Sequence, residues 1–313
     1  MNIPEILGKK IKGQLKTVNK VEIIDCDNAD VAPPFKKGIS GNMTIYYEDD
    51  SHVYFVEKNG KRVPLLSTTT IWGLLSPKFD EDFHADNCAK KPDYTCKFLN
   101  KKGWDELPHE KKVSRIKTAW HKNNKDATSY GTVAHAGMEY LVKHPELTPQ
   151  QIMAELKYTY KKPHVRDVIN SFLENHKPVI DKWIEDGFEL VAEPVIGILS
   201  YGMAGQMDLG VIDHKTKSIY IEDYKTNKVR PGDEEVFDYM LHPFDNVPNT
   251  AFYHYCLQLS TYALMLLRHY PGYTVKTMTL RWLNGETGDV EPIPIPLFWI
   301  DTVHETLENM RQQ

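Results

Sequence analysis

Apolar residues recur along this chain with two periods, and the period changes mark its elements. Residues 43 to 66, "MTIYYEDDSHVYFVEKNGKRVPLL", alternate between turns at "EDD" and "NGK", which predicts short strands. "LSTTTIWG" then reads as a loop leading into helical sequence. The lysine-rich stretch up to about residue 125 reads as helices broken near Gly103 and Pro108. "ATSYGTVAHAGMEYLVKH" has a helical stripe of Val133, Met138 and Leu141, and a further helix is predicted over roughly 165 to 185. Strands follow: "FELVAEPVIGIL" as one, then a hairpin over 205 to 227. A polar loop, 229 to 251, precedes the apolar helix "FYHYCLQLSTYALMLLRHY", the strand "YTVKTMTLRWL" and a closing helix "LFWIDTVHETLENMRQ". Helices, a strand cluster, a helix, a strand and a helix predict one α/β domain over 43 to 313 with a mixed central sheet flanked by helices. A lysine-rich helical insertion at about 85 to 125 and an N-terminal strand/helical extension, residues 1 to 42, complete this organisation.

The hairpin carries too much acid for its place. In "GQMDLGVIDHKTKSIYIEDYKTN", the polar turn "DHKTK" separates two apolar runs, and the midpoint of positions 208 and 223 falls inside it. Asp208 therefore lies opposite Asp223, with Cβ atoms roughly 5 Å apart. Lys225 shares a face with Asp223, and Glu222 points the other way. Facing carboxylates repel unless something offsets them. Two readings fit: a divalent cation with a neighbouring ammonium, or a solvent-facing strand pair neutralised by lysines.

Charge is distributed unevenly. Net charge is −5, yet residues 90 to 125 hold 11 Lys or Arg against four acids, a local +7 that leaves −12 for the remainder. This patch reads either as a phosphate-contacting wall, with Lys101, Lys102, Lys111 and Lys112, or as a solvated helical face. Trp104, Trp120 and Tyr94 among the lysines either stack on unpaired bases or pack the helices onto the core. Four cysteines, at 26, 88, 96 and 256, form no CxxC pair, which argues against a zinc ribbon and suits a reducing compartment. No stretch approaches the ~20 apolar residues of a membrane span. "MNIPEILGKKIKGQLK" lacks an apolar signal core and reads as a short amphipathic leader, so a cytoplasmic protein that is not secreted is expected. No GxxxxGK[ST] occurs, so the chain has no P-loop.

Three further signals join the hairpin. His135 and Glu139 share a helix face, either as a metal ligand with its orienting carboxylate or as a surface pair. Glu193 interrupts an apolar strand, either at a metal site or on a sheet edge beside Pro194. Gln258 and Tyr262 put polar groups on one face of an apolar helix.

In order, "GTVAHAGMEY", the strand glutamate, "GQMD", "EDYKT" and "QLSTY" resemble the PD-(D/E)XK nuclease superfamily, and within it the RecB-like exonuclease family. "LSTTTIW…KFD" and "TAW…SYGTVAH" resemble phage, viral and mitochondrial genome-maintenance members. The resemblance spans roughly residues 65 to 283. It implies a restriction-endonuclease-like core and a Mg²⁺- or Mn²⁺-dependent deoxyribonuclease, an exonuclease acting in DNA replication, recombination or repair. The alternatives are a structure- or site-specific endonuclease and a catalytically inactive DNA-binding module. It implies metal ligation by His135, Asp208 and Asp223 with Glu193 at the metal or beside it. Lys225 would act on the attacking water and the phosphate, and Gln258 and Tyr262 would hold the site or the DNA backbone. Some relatives hold an iron–sulfur cluster on one early and three late cysteines; Cys256 is alone late in this chain, so no cluster is expected. The implied partners are DNA, single-stranded or with free ends, and replication or recombination proteins, in a cytoplasm that includes a phage- or virus-infected host.

Overall fold

A computed structural model describes residues 23–25, 44–48, 53–58, 61–156 and 163–312. The leader over residues 1 to 16 lies outside the described residues. The described part of the extension is β1 (Ile23–Asp25), which pairs in parallel with β6 (Val195–Ile198).

Two sheets share one bent hairpin. The first is mixed, in the order β11 (Val290–Ile295), β10 (Thr274–Leu283), β9 (Ser218–Lys225), β8 (Leu209–Asp213), β5 (Glu189–Ala192). Its β9–β10 pair is parallel and the others antiparallel. The second runs β1-β6-β7-β4-β3-β2, with β7 (Met203–Gln206), β4 (Lys61–Ser67), β3 (Val53–Lys58) and β2 (Ile45–Glu48). The run expected as one strand over 188–199 is instead β5 and β6, broken at Glu193–Pro194. Glu193 takes φ +50°, a left-handed conformation costly for a side-chain-bearing residue. Two cross-strand hydrogen bonds hold the bend: Glu193 N–H to Asp208 O at 2.9 Å and Met207 N–H to Pro194 O at 3.2 Å.

Strand alternation sorts the mixed sheet between two cores. Ile212, Ile219 and Ile221 face α6 (Ala251–His269) and α7 (Trp299–Gln312). Leu209, Val211 and Tyr224 face α3 (His109–Lys143), α4 (Pro149–Glu155) and α5 (Pro163–Glu185). The sheet is thus covered on both sides, as the α/β expectation requires.

Local differences have local causes. α3 is one helix of 35 residues, not the two read from the sequence, because nothing between Glu110 and Tyr130 breaks it. Its glycines are packing positions: a Cβ at Gly137 would lie 3.4 Å from Leu173 Cδ2 of α5. "STTTIWG" is a short helix, α1 (Thr68–Gly73), capped by the Ser67 hydroxyl, which accepts from Thr70 N–H. β11, "VEPIPI", was not anticipated, because its prolines masked the alternation. Pro292 and Pro294 sit exposed on the sheet's outermost strand while Ile293 and Ile295 are buried.

The lysine-rich insertion has its own small core. α2 (Glu81–Ala89) packs on the first turns of α3 through Ala85, Ala89, Trp104 and Ile116. No helix among the described residues is long and apolar enough to cross a membrane.

A candidate metal and catalytic centre at the bend

The β8–β9 register pairs Leu209 with Glu222 and Asp213 with Ser218. One further residue puts Asp208 opposite Asp223. The β5–β8 and β6–β7 pairs share one register, which puts Asp208 opposite Glu193 on its other side. Three carboxylates therefore stand side by side on adjacent strands, where the sheet bends.

His135 reaches them from α3. Its Nδ1 lies 3.3 Å from Asp208 Oδ2 and 3.8 Å from Glu193 Oε1. One donor atom from each of His135, Glu193 and Asp208 falls within 4.8 Å of the others, a spacing one cation can bridge. α3 comes this close to β9 because Gly131, one turn before His135, faces Thr226: a Cβ there would meet its Oγ1 at 3.3 Å. The Tyr224 ring lies edge-on to the imidazole, with centroids 6.4 Å apart. Tyr224 also donates its backbone N–H to Asp208 Oδ2 at 2.6 Å.

Asp223 stands beside this trio with Lys225. The Lys225 ammonium ion-pairs with Asp223 Oδ2, a buried oxygen for which no other hydrogen-bond partner is found among the described residues. The Lys225 ammonium also lies 4.6 Å from the centre of the Tyr255 ring.

The electrostatics record crowded negative charge. Burial, then the Asp208 charge, push the Asp223 carboxyl up to about 6. Burial also raises Glu193, to about 7, against the pull of His135. Burial opposes the charged forms of His135 and Lys225, yet the carboxylates win: His135 rises to about 10 and Lys225 rises too. Asp208 is held below its usual value, because His135, Lys225 and the Tyr224 N–H outweigh its burial. Without a cation, the cluster keeps positive charge on His135 and Lys225. A divalent ion fits this donor set of one imidazole nitrogen and several carboxylate oxygens.

Gln258 and Tyr262 lie behind the bend. Tyr262 is buried; its hydroxyl donates to Gln206 O at 2.8 Å and accepts from Gln258 Nε2 at 3.1 Å and Thr68 Oγ1 at 3.2 Å. It props the backbone two residues before Asp208, and its burial removes it from the DNA backbone. Gly205 is what admits it: a Cβ there would sit 2.7 Å from Tyr262 Cε1 and 3.0 Å from Thr68 Oγ1. The sequence reading missed Thr68, Tyr255 and the role of Gly205.

Two expectations are corrected. Glu139 does not orient His135: its carboxylate pairs with Lys143, one turn on, at 2.6 Å. Trp104 is no base platform; it is 5% exposed in the insertion's core, with Lys101 and Lys112 over its ring at 5.8 and 5.6 Å. Trp120 Nε1 likewise donates to Tyr94 OH, at 2.9 Å. Lys101, Lys102 and Lys111 are exposed and Lys112 is half-buried.

The family model of the PD-(D/E)XK nuclease superfamily matches residues 111–309, which contain His135, Glu193, Asp208, Asp223, Lys225, Gln258 and Tyr262. Among solved structures, a protein provisionally described as an exonuclease, from Eubacterium rectale, is similar over 74% of this chain and 83% of that chain. It shares 10% identity at a TM-score of 0.34, too distant to bear on function. No curated protein matches the sequence.

Proposed function

Because the chain belongs to the PD-(D/E)XK nuclease superfamily, we propose that it is a metal-dependent deoxyribonuclease, acting as an exonuclease of the RecB-like type. The observation that supports this most is the convergence of Asp208, Asp223, Glu193, His135 and Lys225 on one bend of the sheet. His135, Asp208 and Glu193 would hold a Mg²⁺ or Mn²⁺ ion, with Asp223 joining them once Lys225 turns from it. The ion supplies Lewis acidity to an attacking water and to the phosphate oxygens. Lys225 orients that water and steadies the charge developing on the phosphate. Tyr262 and Gln258 hold the strand that carries Asp208. Nothing in this centre requires an iron–sulfur cluster.

The substrate is DNA, single-stranded or with free ends, in replication, recombination or repair. The exposed lysines of the insertion guide its backbone. Neutralising Lys101, Lys102, Lys111 and Lys112 together lowers affinity and flattens its salt dependence, by roughly 0.7 to 0.9 in log–log slope per lost contact. An unchanged slope assigns the DNA path elsewhere.

End-labelled linear DNA and closed circular DNA, each with Mg²⁺, Mn²⁺ or EDTA, test the whole reading. An exonuclease degrades the linear form alone, and EDTA stops it. Cutting of the circle favours a structure- or site-specific endonuclease. Binding without cutting in either metal favours an inactive DNA-binding module.

A further inference from the structure

We propose that Tyr255, which lies outside the motifs discussed above, is a positioning residue for Lys225. The inference rests on the nuclease reading. α6 presents Tyr255, Gln258 and Tyr262 at intervals of three and four, so all three lie along one face of the helix. Tyr262 meets the backbone before Asp208, and Gln258 donates to the Tyr262 hydroxyl. Tyr255, at the end of this row, offers its ring to the Lys225 ammonium at 4.6 Å. The ring is itself fixed: its hydroxyl donates to Asn227 Oδ1 at 2.9 Å, and Asn227 O accepts from Trp282 Nε1 at 2.8 Å. The ring is thus tied to the turn leaving β9 and, through Trp282, to β10.

Lys225 needs such a hold because its other contact conflicts with catalysis. In the structure the ammonium sits on Asp223. Were Asp223 to join His135, Glu193 and Asp208 in holding a cation, Lys225 would lose that contact. A flexible lysine then swings away unless another group attracts it. An aromatic face does so without bringing a competing negative charge. Asn227 and Trp282 keep that face in place while Lys225 changes partners.

The test compares Tyr255→Leu, Tyr255→Phe and Tyr255→Trp with the parent protein. Steady-state cleavage in Mg²⁺ gives kcat and KM. Selectively ¹³Cε-labelled lysine gives an NMR signal for Lys225, identified by its loss in Lys225→Arg. A ring 4.6 Å away shifts that signal, and the shift needs no cleavage to be read. Tyr255→Leu removes the shift and lowers kcat roughly 3- to 30-fold, the range of an exposed to a desolvated cation–π contact. KM and the thermal midpoint stay close to the parent's. Tyr255→Phe and Tyr255→Trp keep an aromatic face and most of the shift. Their kcat falls between those of the leucine variant and the parent, because the Asn227 bond is lost. A leucine variant with parental kcat, or a phenylalanine variant as impaired as the leucine one, overturns the proposal. A shift in the parent that is absent from Tyr255→Leu, in a protein that cleaves nothing, rejects the nuclease reading while keeping the contact.

Discussion

Glu222 and Asp223 are neighbours on β9, both buried, and their surroundings differ in kind. Glu222 points toward α5, where the Arg281 guanidinium meets it twice, Nε at 3.0 Å and Nη2 alongside, and His176 Nε2 lies 3.6 Å away. Asp223 points to the other face, opposite Asp208, and its Oδ2 has no hydrogen-bond donor beyond the Lys225 ion pair. A buried charge is tolerated when it is paired and fully bonded. Glu222 meets that condition within the protein, and Asp223 does not. One residue along a strand thus separates an acid that serves the fold from one suited to a ligand.

The sharpest way to break this comparison is to neutralise each acid. Asp223→Asn and Asp208→Asn are expected to lower cleavage about 10³-fold, the scale of losing one electrostatic catalyst. The Asp223→Asn urea midpoint should hold or rise, because a charge that burial and Asp208 disfavour is gone. Asp208→Asn should lose some stability, because its charge is held by His135 and Lys225. Glu222→Gln should lose about 3 kcal/mol of stability by stranding Arg281. Equal destabilisation by Asp223→Asn and Glu222→Gln would collapse the distinction.

Lys225→Ala comes next, with an expected loss of about 10² to 10³ in kcat. DNA affinity, measured in EDTA, should change little, since the ammonium acts at the transition state. Matching losses in affinity and rate would make Lys225 a binding residue.

The smallest effect is the pH dependence of stability, and it differs in sign between the two faces. On the Glu222 face, burial, with Arg281 nearby, holds His176 down to about 3 against an ordinary 6.5. The unfolded chain takes up that proton first, so stability is full above about pH 6.5 and falls as the pH drops toward 3. The slope from His176 is at most about 1.4 kcal/mol per pH unit, offset in part by Glu222, which burial raises. On the Asp223 face, burial first and the Asp208 charge second raise Asp223, and burial raises Glu193. The folded protein then keeps protons that the unfolded chain has given up. Metal-free stability from these two acids falls as pH rises from about 4 to 7, and the His135 contribution is lost between 6.5 and 10. Asp208, held low, is the exception on this face. Thermal midpoints from pH 4 to 8, in EDTA and in saturating Mg²⁺, should show a metal-dependent gap that widens with pH, because binding displaces those protons. A gap that is constant or narrows puts the cation elsewhere.

Much of the centre was legible in the chain because it depends on near neighbours. A polar turn at "DHKTK" sets the β8–β9 register, and period-two alternation then places Asp208 opposite Asp223, with Glu222 on the other face. The helix periods placed His135 and Tyr262 on packed elements, and the order of motifs pointed to the superfamily. The lysine excess was legible as composition, but not which aromatics among the lysines were buried. Tertiary packing decided what local periodicity does not encode. It bent the hairpin at Glu193–Pro194, where a left-handed glutamate is held by bonds to the facing strand. It brought His135 to Asp208 across 73 positions of sequence, through a glycine that lets α3 approach β9. It paired Glu222 with Arg281, 59 residues away, by laying β10 parallel to β9. It set the Tyr255 ring over Lys225, and it buried Trp104 beneath its lysines. The sequence by itself determined which side chains share a strand or helix face, because that follows from the backbone repeat. Only the tertiary structure decided which faces meet, because that depends on close packing between segments far apart in the chain.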